Sequence, residues 1–219
     1  YEADGLLYLK SGSKEQNILA KQGDDLRIDW GYFYMVAGKE NTAYSVGNST
    51  ELRKNFVNGT LNSASLEGED SNGNMALVRS HGKVKNVTDK IMLGYDDIYS
   101  IQYFGTNLRP YWNSKGDRTI EAEMLAAYNE YDKLLARCYA FDKKLMEDAS
   151  AAGGKEYAEL CALAYRQSIA AHKLVEAPNG DLLWLSKENN SNGCINTVDL
   201  TYPSAPLYLI YNPELEKGM

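Results

Sequence analysis

Apolar and polar residues alternate at period two through Leu26, Ile28, Trp30, Tyr32, Tyr34 and Val36, a pattern that predicts a half-buried strand. Shorter runs between Gly, Asn, Asp and Ser turns predict strands at Gly5 to Leu9, Thr42 to Val46, Met75 to Ser80, Val87 to Leu93 and Ile98 to Phe104. A short helix is predicted at Thr50 to Phe56. Near residue 114 the period changes. From Asp117 onward, Ile120, Met124, Ala127, Tyr131, Leu134, Cys138, Phe141 and Leu145 recur every three or four residues with charged side chains between them, which predicts one long amphipathic helix. After Gly153 and Gly154 the helical spacing resumes through Tyr157, Leu160, Cys161, Ala164, Ser168, Ala171 and Val175 until Pro178 ends it. Two helices around a Gly-Gly turn predict an antiparallel helical hairpin. A strand from Leu182 to Leu185 follows the Asn179-Gly180 turn. Beyond a polar loop, a last short helix is expected from Ala205 to Tyr211, with Ser204 as N-cap, Pro206 in its first turn and Asn212-Pro213 as its stop.

These elements give an α+β chain: an antiparallel β-sandwich part over 1–113, then an α-helical part over 114–219. One hairpin and one short helix cannot enclose a core, because each apolar stripe needs a facing layer. More chain is therefore expected beyond Met219.

Composition narrows the class. With 219 residues, 44% hydrophobic and 24% charged, the chain is a folded globular protein. A formal charge of −7, a pI near 5.0 and the lack of any basic stripe argue against nucleic-acid binding. No apolar run approaches the roughly 18 residues of a membrane span. The chain begins at Tyr1 with no signal-like segment, so any targeting sequence is expected outside it. Three cysteines, Cys138, Cys161 and Cys194, do not form a disulfide framework, and the first two read as buried helix residues. Sequons open at Asn48, Asn58, Asn86 and Asn189, but such triplets arise by chance and decide nothing.

The candidate chemistry lies in carboxylates, amides and aromatics. Of the two histidines, His81 falls in a turn-like, solvated segment and His172 reads as a packed helix residue. Cys161 and His172 share a predicted helix about 16 Å apart, too far for a dyad. No spacing supports a metal site and no Gly-rich loop cradles phosphate, so no cofactor is expected. Two loops stand out. The first carries adjacent Asp96 and Asp97 and, further on, Arg109 between aromatics. Adjacent side chains in an extended segment face opposite ways, so at most one of the two Asp serves a given pocket. An Asx-type turn at Asp96 and Asp97 with a structural ion pair to Arg109 is the favoured reading of this loop over a functional one. The second loop places Lys187, Glu188, Asn189 and Asn190 in succession, with Asp199 and Tyr202 following. In a hydrolytic site Glu188 or Asp199 would act as general base on water or as acid to the leaving group, while Lys and Asn donors would stabilise an oxyanion.

Four ordered blocks carry a family likeness: RIDWGYFYMVAG from Arg27, GYDDIYSIQYFGTNLRPYW from Gly94, RCYAFDKKLMEDASAAGGKEYAELCALAYRQSIAAHKL from Arg137, and SKENNSNG with TVDLTYPSAPLYLIYNPEL from Ser186. Together they resemble the glutaminase A family. The resemblance implies a longer, secreted or periplasmic protein in which a β-sandwich-like region precedes an (α/α)6 toroid of six helical hairpins. This chain would then be an internal fragment that carries the first hairpin and is inactive alone. It also implies hydrolysis of the side-chain amide of glutamine to glutamate and ammonia by the whole protein. The family blocks fall on Lys187, Glu188, Asn189, Asp199 and Tyr202, and on Asp96, Asp97 and Arg109. Catalysis is expected from Glu188 and Asp199, and substrate binding from the other six. Cys194 lies where relatives vary, which argues against a nucleophilic role. The competing expectation is a carbohydrate-active protein, since six-hairpin toroids on sandwiches process sugars; it would need a second carboxyl group roughly 5 to 9.5 Å from the first. The expected partners are a small amide substrate and, through exposed helix faces, a second copy or the remainder of the parent chain.

Overall fold

A computed structural model describes residues 1–21, 28–61, 73–187 and 193–219, and the chain divides into two compact units. Among the described residues all strand pairing is antiparallel.

The first unit comprises 1–16, 31–96 and 120–128. Its strands are β1 (Glu2–Ala3), β2 (Leu6–Gly12), β3 (Tyr32–Gly38), β4 (Thr42–Gly47), β5 (Asn74–Arg79) and β6 (Met92–Asp96), and its helices are α1 (Ser49–Val57) and most of α2 (Ile120–Asn129). A four-stranded sheet runs β1-β2-β3-β6, and β4 pairs with β5 separately. The register sets Tyr8 opposite Val36 and Tyr34 opposite Gly94. Period two then brings Leu6, Tyr8, Tyr34 and Val36 to one face, where Met124 of α2 closes a core with Ile120, Leu125 and Tyr128 around it. Each such side chain taken from water contributes about 1.5–3 kcal/mol. The helix can come this close because β6 carries a glycine at the contact: a Cβ at Gly94 would lie 3.0 Å from Met124 Sδ. On the other face, Met35 lines a groove of about 640 Å³ with Leu52, Phe56, Met75 and Leu77.

The second unit comprises 17–30, 97–119 and 129–219. It holds the hairpin of β7 (Ile101–Tyr103) and β8 (Thr106–Leu108), a 3-10 turn at Tyr111–Asn113, the long helix α3 (Tyr131–Ala171), a second hairpin of β9 (His172–Glu176) and β10 (Leu182–Ser186), and the helices α4 (Val198–Tyr211) and α5 (Pro213–Lys217). Within α3, Gly154 adopts φ 84°, ψ −177°, a conformation open essentially to glycine alone. The chain doubles back there. Phe141 and Tyr165 pack in a tilted pair with ring centres 5.1 Å apart, whereas 24 residues of straight helix would separate them by about 36 Å. The expected helical hairpin is present, and Tyr208 and Tyr211 of α4 pack on Tyr165.

Several expected boundaries are corrected. The long strand starts only at Tyr32. Leu26 lies outside the described residues, and Ile28 and Trp30 precede Gly31, whose φ of +85° turns the chain. No strand spans Val87 to Ile91; Val87 and Ile91 are exposed, and pairing begins at Met92, opposite Val36. The strand expected from Ile98 begins at Ile101 because Ile98 has φ +58°. The single helix expected from Asp117 breaks at Glu130 into α2 and α3. Its continuation ends at Ala171 rather than Val175, since β9 is needed to pair with β10. The last helix starts at Val198, and Ser204 is an interior residue whose hydroxyl donates to Leu200 O and Thr201 O. Cys138 is exposed and Cys161 only half-buried. Among the described residues no helix is long and apolar enough to cross a membrane.

Candidate functional site

The loop between β6 and β7 folds around a strained turn. Tyr99 N donates to Asp97 O at 2.5 Å, closing a three-residue turn whose central residue, Ile98, is β-branched and held at φ +58°. Positive φ at such a residue costs on the order of 1–3 kcal/mol and persists only where the surroundings impose it. Here Trp30 does so: its buried indole Nε1 donates to both Asp97 O at 2.8 Å and Tyr99 O at 3.1 Å. The turn drives Asp97 into the interior, where it is 2% exposed, and brings the buried Ser100 Oγ to its Oδ2 at 2.8 Å.

The β9–β10 hairpin supplies the opposing charges. Its Ala177–Asp181 turn is closed by Ala177 N donating to Asp181 O, and Asn179-Gly180 gives the chain reversal, with Gly180 at φ +92°. The alternation of the two strands places Lys173, Val175, Leu183 and Leu185 on one face. Val175 and Leu185 join Ile101 and Leu108 in an apolar floor. At its edge Lys173 Nζ pairs with Asp97 Oδ2 at 3.0 Å. One residue past β10, Lys187 N donates to Ala171 O at 2.8 Å, which fixes its backbone. Its Nζ stands 5.3 Å over the Trp30 ring and donates to Ser100 O at 3.4 Å. Burial, and then the neighbouring Lys173 ammonium, hold the Lys187 pKa below its ordinary value, with Asp97 opposing them. One ammonium thus pairs with the buried carboxylate, and a second lies near enough to feel its charge without contacting it.

The structure brings together only part of the expected set. Asp97 and Lys187 converge, joined by Lys173, Ser100 and Trp30, which sequence reasoning did not select. Asp97 pairs with Lys173 and not with Arg109. The Arg109 guanidinium instead lies 4.8 Å from the Tyr99 ring centre, with Nη2 3.5 Å from Tyr99 Oη. Asp96, half-buried, ends β6 opposite Tyr32. Asp199 is exposed in the first turn of α4, and Tyr202 is 81% exposed on the same helix. Glu188 and Asn189 lie outside the described residues. Trp30 stood within the alternating run and Ser100 in the Asp96-Asp97 loop, so both were within reach of the pattern; Lys173 was hidden in what read as helix.

The opposite face of the hairpin carries His172, Trp184 and Ser186, all buried. His172 stacks on Trp184 at 5.0 Å and meets the edge of Tyr208 at 5.4 Å, and its Nδ1 lies 2.6 Å from Ser168 O. Burial lowers its pKa. Among the described residues, His172 Nε2, Trp184 Nε1 and Ser186 Oγ have no hydrogen-bond partner. No three His, Cys, Asp or Glu side chains converge as metal ligands among the described residues.

Comparison with known proteins places these features in a family. Residues 1–148 match the domain of unknown function DUF5127, and residues 154–219 match the glutaminase A six helical-hairpin domain. Glutaminase A of Aspergillus oryzae is 29% identical over 230 residues, covering 98% of this chain and 32% of the relative. A protein of Arthroderma benhamiae named as a probable glutaminase is 25% identical over 213 residues, covering 85% of this chain and 24% of its own length. The chain therefore spans a third or less of the curated relatives it matches. No solved structure matches. With DUF5127 matching more than half of its length, the chain belongs to the DUF5127 family, and its remainder from residue 154 is similar to the glutaminase A six helical-hairpin domain.

Proposed function

We propose that this chain is part of an extracytoplasmic glutaminase that hydrolyses the side-chain amide of L-glutamine to glutamate and ammonia, with the Asp97, Lys173 and Lys187 cluster in its substrate site. The observation that carries this reading is a buried, strain-positioned aspartate paired with Lys173, with a second lysine close by, Lys187 of the SKENN segment, in a chain similar to glutaminase A. Amide hydrolysis needs a water activated by a base, a cation or donor for the oxyanion of the tetrahedral intermediate, and a proton for the departing amine. Glu188 or Asp199 is assigned the acid and base steps. Lys187, Asn189, Tyr202, Asp96, Asp97 and Arg109 are assigned to holding the substrate rather than to the chemical step, with Lys187 contributing a half-buried cation. The reading also retains a sandwich part to residue 113 and a helical-hairpin part from residue 114.

The test is glutamate and ammonia production from L-glutamine by the full-length protein, assayed by coupling to a glutamate dehydrogenase. Wild-type turnover should exceed that of the Glu188→Gln or Asp199→Asn variant by about a hundredfold or more. Release no greater than that of both variants would sink the reading.

A further inference from the structure

Lys187 is a cation without a matching anion among the described residues. Its ammonium has three donors, of which one makes a 3.4 Å bond to a backbone carbonyl, and the Trp30 face shields another side of it. The nearby carboxylate is already engaged: Asp97 Oδ2 accepts from Ser100 Oγ at 2.8 Å and from Lys173 Nζ at 3.0 Å. The cluster thus has one positive charge in excess, on a half-buried group beside an indole face. Desolvation of that kind is costly unless an anion arrives. Lys173 is still 32% exposed, so the cluster opens to solvent on its side.

We propose that Lys187, seated between Trp30 and the Asp97–Lys173 pair, is the subsite that binds the α-carboxylate of an amino-acid amide substrate. This rests on the amidohydrolase reading and assigns the Lys187 ammonium to substrate anchoring. A small carboxylate fits the chemistry: two oxygens can take the free Lys187 donors in charge-assisted bonds, and the Trp30 ring excludes competing water. Binding an anion there also relieves the repulsion between Lys187 and Lys173 that, with burial, lowers the Lys187 pKa. The same subsite rejects an analogue whose α-carboxylate is an amide, since the excess cation would remain buried and uncompensated.

Two measurements on the intact protein test this. Ammonia release is compared for L-glutamine and its α-amide in wild type, Lys187→Gln and Lys187→Arg. Wild type should favour L-glutamine by roughly tenfold or more in KM, Lys187→Gln should lose that preference with kcat changed much less, and Lys187→Arg should retain part of it. In parallel, glutarate, which carries carboxylates and no scissile amide, is titrated calorimetrically. It should bind wild type and bind Lys187→Gln at least about tenfold more weakly. Glutarate binding that depends on Lys187, without ammonia release from either amide, retains the carboxylate subsite and removes the glutaminase reading. Ammonia release with equal KM for both amides, or glutarate binding unaffected by Lys187→Gln, overturns the subsite. So does a Lys187→Gln variant that loses thermal stability while keeping the substrate preference, since Lys187 would then serve an internal carboxylate.

Discussion

Lys173 Nζ lies 3.0 Å from Asp97 Oδ2, joining residues 76 positions apart through an ion pair in which the carboxylate is 3% and the ammonium 32% exposed. The asymmetry matters. Lys173 can turn to water if its partner is lost, whereas Asp97 cannot, so the pair is more sensitive to loss of the lysine's charge than of the aspartate's. Lys173→Met should lower stability in urea unfolding by about 3 kcal/mol and Asp97→Asn by about 1–2 kcal/mol. The double variant should fall short of the sum by about 1 kcal/mol or more, the coupling expected of groups in contact. Additive losses would show that the pair contributes nothing as a pair.

The neighbours of Lys187 push its ionisation in opposite directions, and each can be removed. Burial and Lys173 lower its pKa, and Asp97 raises it. Lys173→Met should therefore raise the Lys187 pKa toward its ordinary 10.5, and Asp97→Asn should lower it further. NMR titration of isotopically labelled lysine side chains reads both shifts. A change of the same sign in the two variants would contradict the geometry.

Much of this arrangement was legible in the chain, for identifiable reasons. Tyr32, Tyr34 and Val36 form a strand as the alternation predicts, because one face of β3 is buried against Met124 and period two is then enforced. Gly153-Gly154 marks the helical reversal because Gly154 takes a backbone conformation closed to other residues. The segment from His172 to Glu176 was not legible. Ser168, Ala171 and Val175 keep helical spacing through it, and only pairing with Leu182–Ser186 across the Asn179-Gly180 turn makes it a strand. That tertiary choice moved Lys173 from a helix surface to the edge of the Asp97 pocket. Ile98 was hidden for a related reason: its positive φ is imposed by Trp30, a residue distant in sequence.

His172 gives the molecule a specific acid sensitivity. Burial lowers its pKa from the ordinary 6.5, so below that pH the unfolded chain takes up a proton that the folded chain resists. Stability from neutral His172 is full above 6.5 and is lost as pH falls through the folded value. Asp89 and Glu176, whose pKa values are lowered by Arg79 and by Lys115 respectively, lose their contribution only as pH falls from their ordinary 3.8 and 4.5 downward. Between 4.5 and 6.5 the decline in melting temperature should therefore flatten in His172→Gln. His81→Gln is the control, because His81 Nε2 lies 2.9 Å from Asp89 in the other unit. An unchanged slope in His172→Gln would exclude His172 as its source.

Ile98 offers the sharpest test of whether strain positions Asp97. An ordinary half-buried Ile→Gly substitution loses side-chain burial of about 1–2 kcal/mol and adds about 1 kcal/mol of backbone freedom in the unfolded chain. At φ +58° the substitution also removes a strain on the order of 1–3 kcal/mol, which offsets most of that loss. Ile98→Gly should thus lie within about 1 kcal/mol of wild type in chemical unfolding, while Ile98→Val, which retains the β-branch at the same backbone angle, should gain no such relief. Glycine would also free the turn that Trp30 Nε1 clasps through Asp97 O and Tyr99 O. The Asp97–Lys173 coupling should then weaken even though total stability is nearly kept. A double-mutant cycle repeated in the Ile98→Gly background measures it. An undiminished coupling there would mean that Trp30 and Ser100 hold Asp97 without help from the strained turn.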